Sequence, residues 1–235
     1  MTHFVYSQPI KAIIFDNDGT LMDTEGVYTD MHQYMTGQPL TWDFKLKLMG
    51  SNPTELARKT INHCNLNYSI PDFITKMRSY LDSRWPEVQM LPGAEDVIDK
   101  FYSMHIPMSI ATSSSREEFL LKSSTHHNVT NVMDHIICGT DVARGKPNPD
   151  LFLKAFNLWD CKYHIQPCNT LVFEDAPNGV KAANNAGMPV VYVPDPHVNA
   201  QQALRDAGAT ATLILDSLES FNFNSFKFEL PQGFY

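Results

Sequence analysis

The architecture of this 235-residue chain follows from the segment Lys11-Ala12-Ile13-Ile14-Phe15-Asp16-Asn17-Asp18-Gly19-Thr20. Its first five residues form a short apolar run that ends at Asp16. A run that is apolar on both faces is typical of a buried strand in a parallel sheet. Gly19 lets the chain turn soon afterwards. The segment therefore predicts a buried strand with two carboxylates, those of Asp16 and Asp18, beyond its carboxyl end.

Similar runs recur later in the chain and alternate with helical patterns. Strands are predicted at 107–111, 170–173 and 189–193, with a weaker one at 135–138 and a further one at 211–215. Helices are predicted between them at 115–124, 149–158 and 176–186. Strands that alternate with helices indicate a parallel sheet covered on both faces. The predicted fold class is α/β, a Rossmann-like doubly wound parallel sheet.

The stretch 22–90 differs because it contains no clear strand. It predicts four helices, at 24–36, 41–49, 54–64 and 71–85. We therefore predict two domains, an α/β core made of residues 1–21 and 91–235 and an inserted all-helical domain at 22–90. The Phe-rich tail at 221–235 is expected to pack on the core.

Composition narrows the partners and the compartment. The chain has a formal net charge of −8, which argues against a nucleic acid polymer as partner, because that binding relies on Lys and Arg. No apolar run approaches membrane-spanning length, and we predict no membrane partner. The N-terminus lacks a secretory pattern and the four cysteines form no metal motif, so we expect separate thiols and a cytoplasmic location.

The two carboxylates after the first strand suit covalent catalysis. If the chain curls there, one can attack a phosphorus atom while the other protonates the leaving oxygen. The alternative is a turn in which Asp16 and Asp18 only cap backbone groups. The position directly after the first strand favours the catalytic interpretation.

Three further polar clusters follow predicted strands or precede a helix. Thr112-Ser113-Ser114 offers hydroxyl and N–H donors to phosphate, and Lys146 offers one ammonium. Glu174-Asp175 places two carboxylates at a strand end, where Mg²⁺ is the natural compensating cation. Taken alone, each cluster could simply be a helix cap or a solvated side chain. Because carboxyl ends of parallel strands share one edge, we expect the clusters to converge.

The motif order, D-x-D-G-T followed by Thr112, Lys146 and Glu174-Asp175, resembles the haloacid dehalogenase superfamily of phosphohydrolases. The helical insertion is similar to the C1-type cap of that superfamily. Asn17 stands where many relatives carry Met or Leu. The side chain at this position takes no part in the reaction of the family. Longer strings are similar to the branch that includes phosphatases of pseudouridine 5'-phosphate, and they lie at 15–25, 91–95, 110–114 and 172–180.

The resemblance implies a role for each motif residue. Asp16 would form an aspartyl-phosphate, and Asp18 would exchange the proton, for which we expect a raised pKa. Thr112, Ser113 and Lys146 would bind the phosphoryl group. Mg²⁺ would be bound by Asp16, by the backbone carbonyl of Asp18 and by Asp175, with Glu174 as a ligand or as a neighbour of the ligands.

The resemblance leaves the substrate open. The leading expectation is a monomeric, magnesium-dependent phosphatase of a small phosphorylated metabolite, pseudouridine 5'-phosphate first. Sugar-phosphate or glycerol-phosphate phosphatases and a beta-phosphoglucomutase-like phosphomutase share the same motifs. A non-catalytic binding protein on this scaffold would not need the complete set of motif residues.

Overall fold

Six parallel strands form the sheet in the part of the chain that the computed structural model describes, residues 5–48, 51–163 and 165–231. The strands are β1 (Ala12–Phe15), β2 (Met108–Ala111), β3 (His135–Ile137), β4 (Thr170–Glu174), β5 (Val190–Tyr192) and β6 (Leu213–Ile214). Their order in the sheet is β3-β2-β1-β4-β5-β6. The predicted α/β parallel sheet is confirmed, including its two weakest strands.

The described residues also form ten α-helices. They are α1 (Thr24–Thr36), α2 (Trp42–Leu48), α3 (Pro53–Cys64), α4 (Ile70–Arg84), α5 (Ala94–Ser103), α6 (Arg116–Lys122), α7 (His127–Thr130), α8 (Asp150–Tyr163), α9 (Pro177–Asn185) and α10 (Ala200–Ala207). The chain divides into two compact units, Met1–Asp23 with Gln89–Tyr235 and Thr24–Val88. The second unit holds α1 to α4 and no strand among its described residues.

The topology of the sheet indicates which of its edges would bind a ligand. β1 is central and pairs with β2 on one side and β4 on the other. The chain order of the strands runs outwards in both directions from this β1–β4 pair. In open α/β sheets, ligands bind in the crevice beyond the carboxyl ends at such a reversal. The residues that follow β1 and β4 are therefore the first candidates for a site.

Each face of the sheet is covered by a different core. On one face, α8, α9 and α10 pack apolar side chains such as Phe152, Val180 and Leu204 onto the strands. An aromatic cluster forms the other core around Phe15 and Phe173, whose rings stack with centroids 5.0 Å apart. Such aromatic pairs contribute about 0.5–1.5 kcal/mol beyond the burial of their area.

The C-terminal tail completes that aromatic cluster. Phe221 and Phe226 are buried, and the rings of Phe221, Phe223 and Phe228 all contact Phe101. The backbone of the tail runs beside Ile10, whose N–H donates to the Lys227 carbonyl at 2.7 Å. The prediction that the tail packs on the core is confirmed for its described residues, up to 231.

The helical unit has a small core of its own. α1, α3 and α4 pack together, and α4 buries Phe73, Met77 and Leu81 at helical spacing, as predicted. Within this unit, a cavity of about 240 Å³ is lined by both apolar and polar side chains, among them the ion-paired Lys45 and Glu25.

Two smaller expectations concern cysteines and membranes. Cys64, Cys138 and Cys168 are free thiols, as predicted, and the side chain of Cys161 lies outside the described ones. None of the helices in the described residues is long and apolar enough to cross a bilayer.

Candidate active site

An acidic cluster lies where β1 and β4 end. Asp16 directly follows β1, and its N–H donates to the carbonyl of Phe173 at 2.9 Å, which continues the β1–β4 ladder. Glu174 is the last residue of β4, and Asp175 follows it. One carboxylate oxygen from each of the three acids lies within 4.8 Å of the others. Asp16 and Glu174 are buried, at 5% and 1% exposure. The convergence expected from the sequence is therefore present for these three residues.

Lys146 joins two members of this cluster. Its ammonium donates to Oδ1 of Asp16 and, at 2.7 Å, to Oε1 of Glu174. The lysine side chain is only 7% exposed and its Nζ lies 4.8 Å from the centroid of the Phe152 ring. A buried lysine of this kind is found almost only with anionic partners. The loop that carries it is tied to α9, because Asn185 donates to the Pro147 carbonyl at 3.0 Å.

Two glycines leave the room that the carboxylates need. Gly19 has a φ of +80°, which favours glycine, and a Cβ there would overlap the Asp175 carboxylate. Gly179, on α9, lies against the carboxylate of Glu174, and a Cβ there would overlap that group. Glu174 is held in place at its other oxygen, which accepts the N–H of Ala176 at 2.7 Å. The acids are thus fitted closely to the surrounding backbone.

Burial and mutual repulsion shift the titration of the acidic cluster. Burial is the main reason that the pKa of Asp16 rises to about 7, and Glu174 and Asp18 raise it further, although Lys146 opposes this. Burial also raises the pKa of Asp175 well above its ordinary value, with Glu174 and Asp16 adding to the effect. Without a further cation, burial and repulsion thus make both acids easier to protonate than they are in water.

We expect Asp16 to make the metal-free protein less stable as pH rises. An acid whose pKa is about 7 when folded and 3.8 when unfolded contributes full stability below pH 3.8 and loses it as pH rises through 7. Thermal unfolding in EDTA from pH 5 to pH 8 should therefore show the wild type losing stability relative to Asp16→Asn. Adding Mg²⁺ should stabilise the wild type more at pH 8 than at pH 5.

The difference from Asp16→Asn isolates this residue from other titrating groups. A difference that stays constant from pH 5 to pH 8 would contradict the raised pKa. A stabilisation by Mg²⁺ that does not depend on pH would contradict a cation site at these carboxylates.

Asp18 belongs to a separate network. Its Oδ1 accepts from Lys122 at 2.5 Å, and its Oδ2 accepts from Thr112 and from Ser114, both at 2.9 Å. Burial alone would raise the pKa of Asp18, but Lys122 and the two hydroxyls outweigh that effect and lower it. The expectation of a raised pKa at Asp18 is therefore wrong for this state, because Lys122, a buried lysine that the sequence interpretation did not single out, lies beside it.

The other predicted site residues lie along the same edge of the sheet. Thr112 follows β2 and is fully buried, whereas Ser113 is exposed. Lys122 is the functional candidate that the sequence interpretation missed. A signal was present, since Lys122 stands three residues after the buried Phe119, on the inward face of α6.

The donor set suits a divalent cation. Three carboxylates and one ammonium leave a net charge of −2 if all are ionised, since −3 and +1 sum to −2. The ligand atoms that these three acids offer are carboxylate oxygens, which Mg²⁺ and Ca²⁺ prefer. Lys146 donates to one oxygen of Asp16, and Thr20 donates to one oxygen of Asp175 at 3.1 Å. These two contacts leave the second oxygen of each carboxylate for a cation. The residues present therefore fit a magnesium ion.

Comparison with known proteins identifies relatives over nearly the whole chain. The model of the haloacid dehalogenase-like hydrolases matches residues 13–193. A Drosophila melanogaster protein named as a probable pseudouridine-5'-phosphatase is 35% identical, with 90% of this chain and 91% of that protein covered. (DL)-Glycerol-3-phosphatase 2 of Arabidopsis thaliana is 36% identical, with 81% and 82% covered.

A solved structure shares the fold. The crystal structure of a Thermotoga maritima protein, provisionally assigned as a beta-phosphoglucomutase, superimposes with a TM-score of 0.72 at 27% identity. The superposition covers 88% of this chain and 94% of that one. The chain belongs to the haloacid dehalogenase-like hydrolase family, and the resemblance seen in the sequence is confirmed.

Proposed function

We propose that this enzyme is a magnesium-dependent phosphomonoesterase that acts through an aspartyl-phosphate at Asp16. The observation that carries the proposal is the contact of Asp16 with Lys146 at the edge where Glu174 and Asp175 converge. A nucleophile for phosphoryl transfer needs positive charge beside it, because the transferred group and the attacking carboxylate are both anionic. The two curated relatives described above are named as phosphatases, which supports the same class.

In the first step, a carboxylate oxygen of Asp16 attacks phosphorus while the bond from phosphorus to the alcohol oxygen breaks. Lys146 stabilises the charge on the phosphoryl oxygens, and Thr112 and Ser113 donate to them. Asp18 supplies the proton that the leaving alcohol takes. In the second step, water attacks phosphorus, its proton passes to Asp18, and the carboxylate of Asp16 is released with inorganic phosphate.

The lowered pKa of Asp18 suits the second step, in which an ionised carboxylate accepts a proton. The first step needs the protonated form. An incoming phosphate dianion raises the pKa of a neighbouring carboxyl. Thr112 has one hydroxyl proton, so donating it to phosphate removes a donor from Asp18. We infer that substrate binding raises the pKa of Asp18 towards the value that proton donation needs.

Magnesium would be held by Asp16, by the backbone carbonyl of Asp18 and by Asp175, with Glu174 as a ligand or as the partner that orients Lys146. When bound, it would offset the carboxylate charge and polarise the phosphoryl group. It would also keep Asp16 ionised at neutral pH. Without the metal, a pKa of about 7 leaves a large part of Asp16 protonated at that pH.

The proposed substrate is a small phosphorylated metabolite, with pseudouridine 5'-phosphate first. This rests on the probable pseudouridine-5'-phosphatase of Drosophila as a relative over 90% of the chain. Glycerol 3-phosphate is the second candidate, because the Arabidopsis relative is comparably similar. We assign the helical unit the role of a cap that excludes water and contacts the alcohol part of the substrate. We also propose that the chain acts as a monomer and that it is cytoplasmic.

A phosphate-release screen tests the substrate and the metal together. The purified chain is assayed with pseudouridine 5'-phosphate, glycerol 3-phosphate and glucose phosphates, each with Mg²⁺ and with excess EDTA. We expect release only with Mg²⁺ and the highest kcat/KM for pseudouridine 5'-phosphate. A mock preparation from cells that do not express the chain, purified in parallel, measures release by contaminating phosphatases.

The outcomes separate the alternatives. Release that EDTA does not reduce would contradict the metal. A higher kcat/KM for glycerol 3-phosphate would select the second candidate and leave the mechanism intact. Isomerisation of glucose 1-phosphate that requires a glucose bisphosphate, without net phosphate release, would indicate a mutase instead.

A further inference from the structure

Lys122 is a buried lysine that the steps above do not use. It is the last residue of α6, its side chain is 3% exposed, and its ammonium donates to Asp18 at 2.5 Å and to Ser114 at 2.8 Å. Lys146, by contrast, contacts Asp16 and Glu174. The two buried lysines thus serve the two halves of the D-x-D motif separately.

The hydrogen bonds around Asp18 fix the direction of its carboxylate. Lys122 holds one oxygen, while Thr112 and Ser114 hold the other. Ser114 also accepts from Lys122, so the lysine orients the hydroxyl that contacts the second oxygen. When phosphate engages Thr112, the contacts from Lys122 and Ser114 remain to hold Asp18.

Stability alone gives little reason for a lysine at this position. Burying an ammonium costs free energy, and replacing a buried ion pair by apolar side chains is often neutral or stabilising. The neighbouring Phe119 shows that this face of α6 already packs into an apolar interior. A buried charge that contacts a carboxylate of the site is more simply explained by the chemistry it supports.

We propose that Lys122, together with Ser114, is a positioning residue that aims the Asp18 carboxyl group at the leaving oxygen of the substrate. The inference rests on the proposed function. As the bond from phosphorus to the leaving oxygen breaks, its electron pair stays on that oxygen, which takes the proton of Asp18. Proton transfer of this kind requires the donor within hydrogen-bond reach, so a carboxyl that can rotate away is a poorer acid.

The leaving group provides the test. p-Nitrophenolate departs without a proton, whereas a sugar or glycerol alkoxide needs one. In Lys122→Met, kcat/KM for glycerol 3-phosphate should fall at least about tenfold more than kcat/KM for p-nitrophenyl phosphate, since general acid catalysis contributes about 10²–10⁴-fold. The ratio kcat/KM reports steps up to the aspartyl-phosphate, so slow hydrolysis of that intermediate does not hide the difference.

Matched variants separate positioning from folding. Lys154→Met removes an exposed lysine of α8 that donates to the Asp141 carbonyl, and it should leave both substrates unaffected. Ser114→Ala deletes only a hydroxyl and should show the same selective loss with a smaller magnitude. If thermal unfolding shows that Lys122→Met does not fold, Ser114→Ala becomes the variant that tests the inference.

Each outcome has one meaning. An equal loss for both substrates, or no loss, in folded Lys122→Met would overturn the inference, as would an unselective Ser114→Ala if Lys122→Met does not fold. Asp18→Asn, assayed beside them, should show the selective loss in its strongest form. If it does and the Lys122 and Ser114 variants do not, only the inference fails. If Asp18→Asn treats both substrates alike, the proton-donor assignment in the proposed function fails with it.

Discussion

Asp16→Asn is expected to lower magnesium-dependent phosphate release by about 10³-fold or more, which is typical for the loss of a catalytic nucleophile. The amide has nearly the size of the carboxylate but cannot attack phosphorus. Lys146 keeps its contact with Glu174 in this variant, so the local framework retains an ion pair. Removing a buried carboxylate with a raised pKa should not destabilise the metal-free fold at neutral pH.

The measurement is kcat/KM at saturating Mg²⁺, with thermal unfolding of the same preparation. Asp206→Asn is the matched control, because Asp206 lies on α10 and accepts from Gln202 on the exposed surface. It should keep wild-type activity. Full activity in Asp16→Asn would remove Asp16 from the nucleophile role.

Gly179→Ala is expected to damage both stability and activity. Alanine is the better helix former by about 1 kcal/mol, so propensity alone predicts stabilisation. The new Cβ would overlap the Glu174 carboxylate, which would have to leave Lys146 and the Ala176 N–H. Overpacking of this kind costs about 1–3 kcal/mol, so we expect a net loss of stability. We also expect a lower kcat/KM, because Lys146 loses one of its two anchors.

Two comparisons isolate the cause of this effect. Gly145→Ala should be close to neutral in the free energy of unfolding, because a Cβ there meets open space. In the background of Glu174→Ala, Gly179→Ala should lose its cost, because the overlapping group is gone. A cost that persists in that background would show that the overlap with Glu174 is not the reason.

The strands were predictable because a strand that is buried on both faces needs a continuous run of apolar residues in the sequence. Short apolar runs that end in polar residues, such as 12–15 before Asp16, are typical of the buried strands of a parallel α/β fold. The helices α5, α7 and α10 were not singled out. α7 is a single turn and gives little signal. α10 has Ala200, Ala203, Leu204 and Ala207 at helical spacing, so the sequence carried a helical pattern there that the prediction did not use.

The candidate site was predictable to the extent that its residues follow strands. Asp16 directly follows β1, while Glu174 ends β4 and Asp175 follows it. Because β1 and β4 are paired in parallel, the sheet alone brings these three residues together. Lys146 lies in a loop, and only its order relative to the other motifs pointed to it. Lys122 lies on a helix, where a lysine usually reaches solvent, and its burial depends on how α6 packs. The lowered pKa of Asp18 escaped prediction for the same reason.

The most direct measurement is to trap the phosphorylated enzyme. Asp18→Asn is mixed with p-nitrophenyl phosphate and Mg²⁺, because the first step then needs no proton while the second is slowed. We expect a burst of about one nitrophenolate per chain. After an acid quench and borohydride reduction, peptide mass spectrometry should find homoserine at position 16. Linear release without a burst, or a phosphoryl group on another side chain, would contradict an aspartyl-phosphate at Asp16.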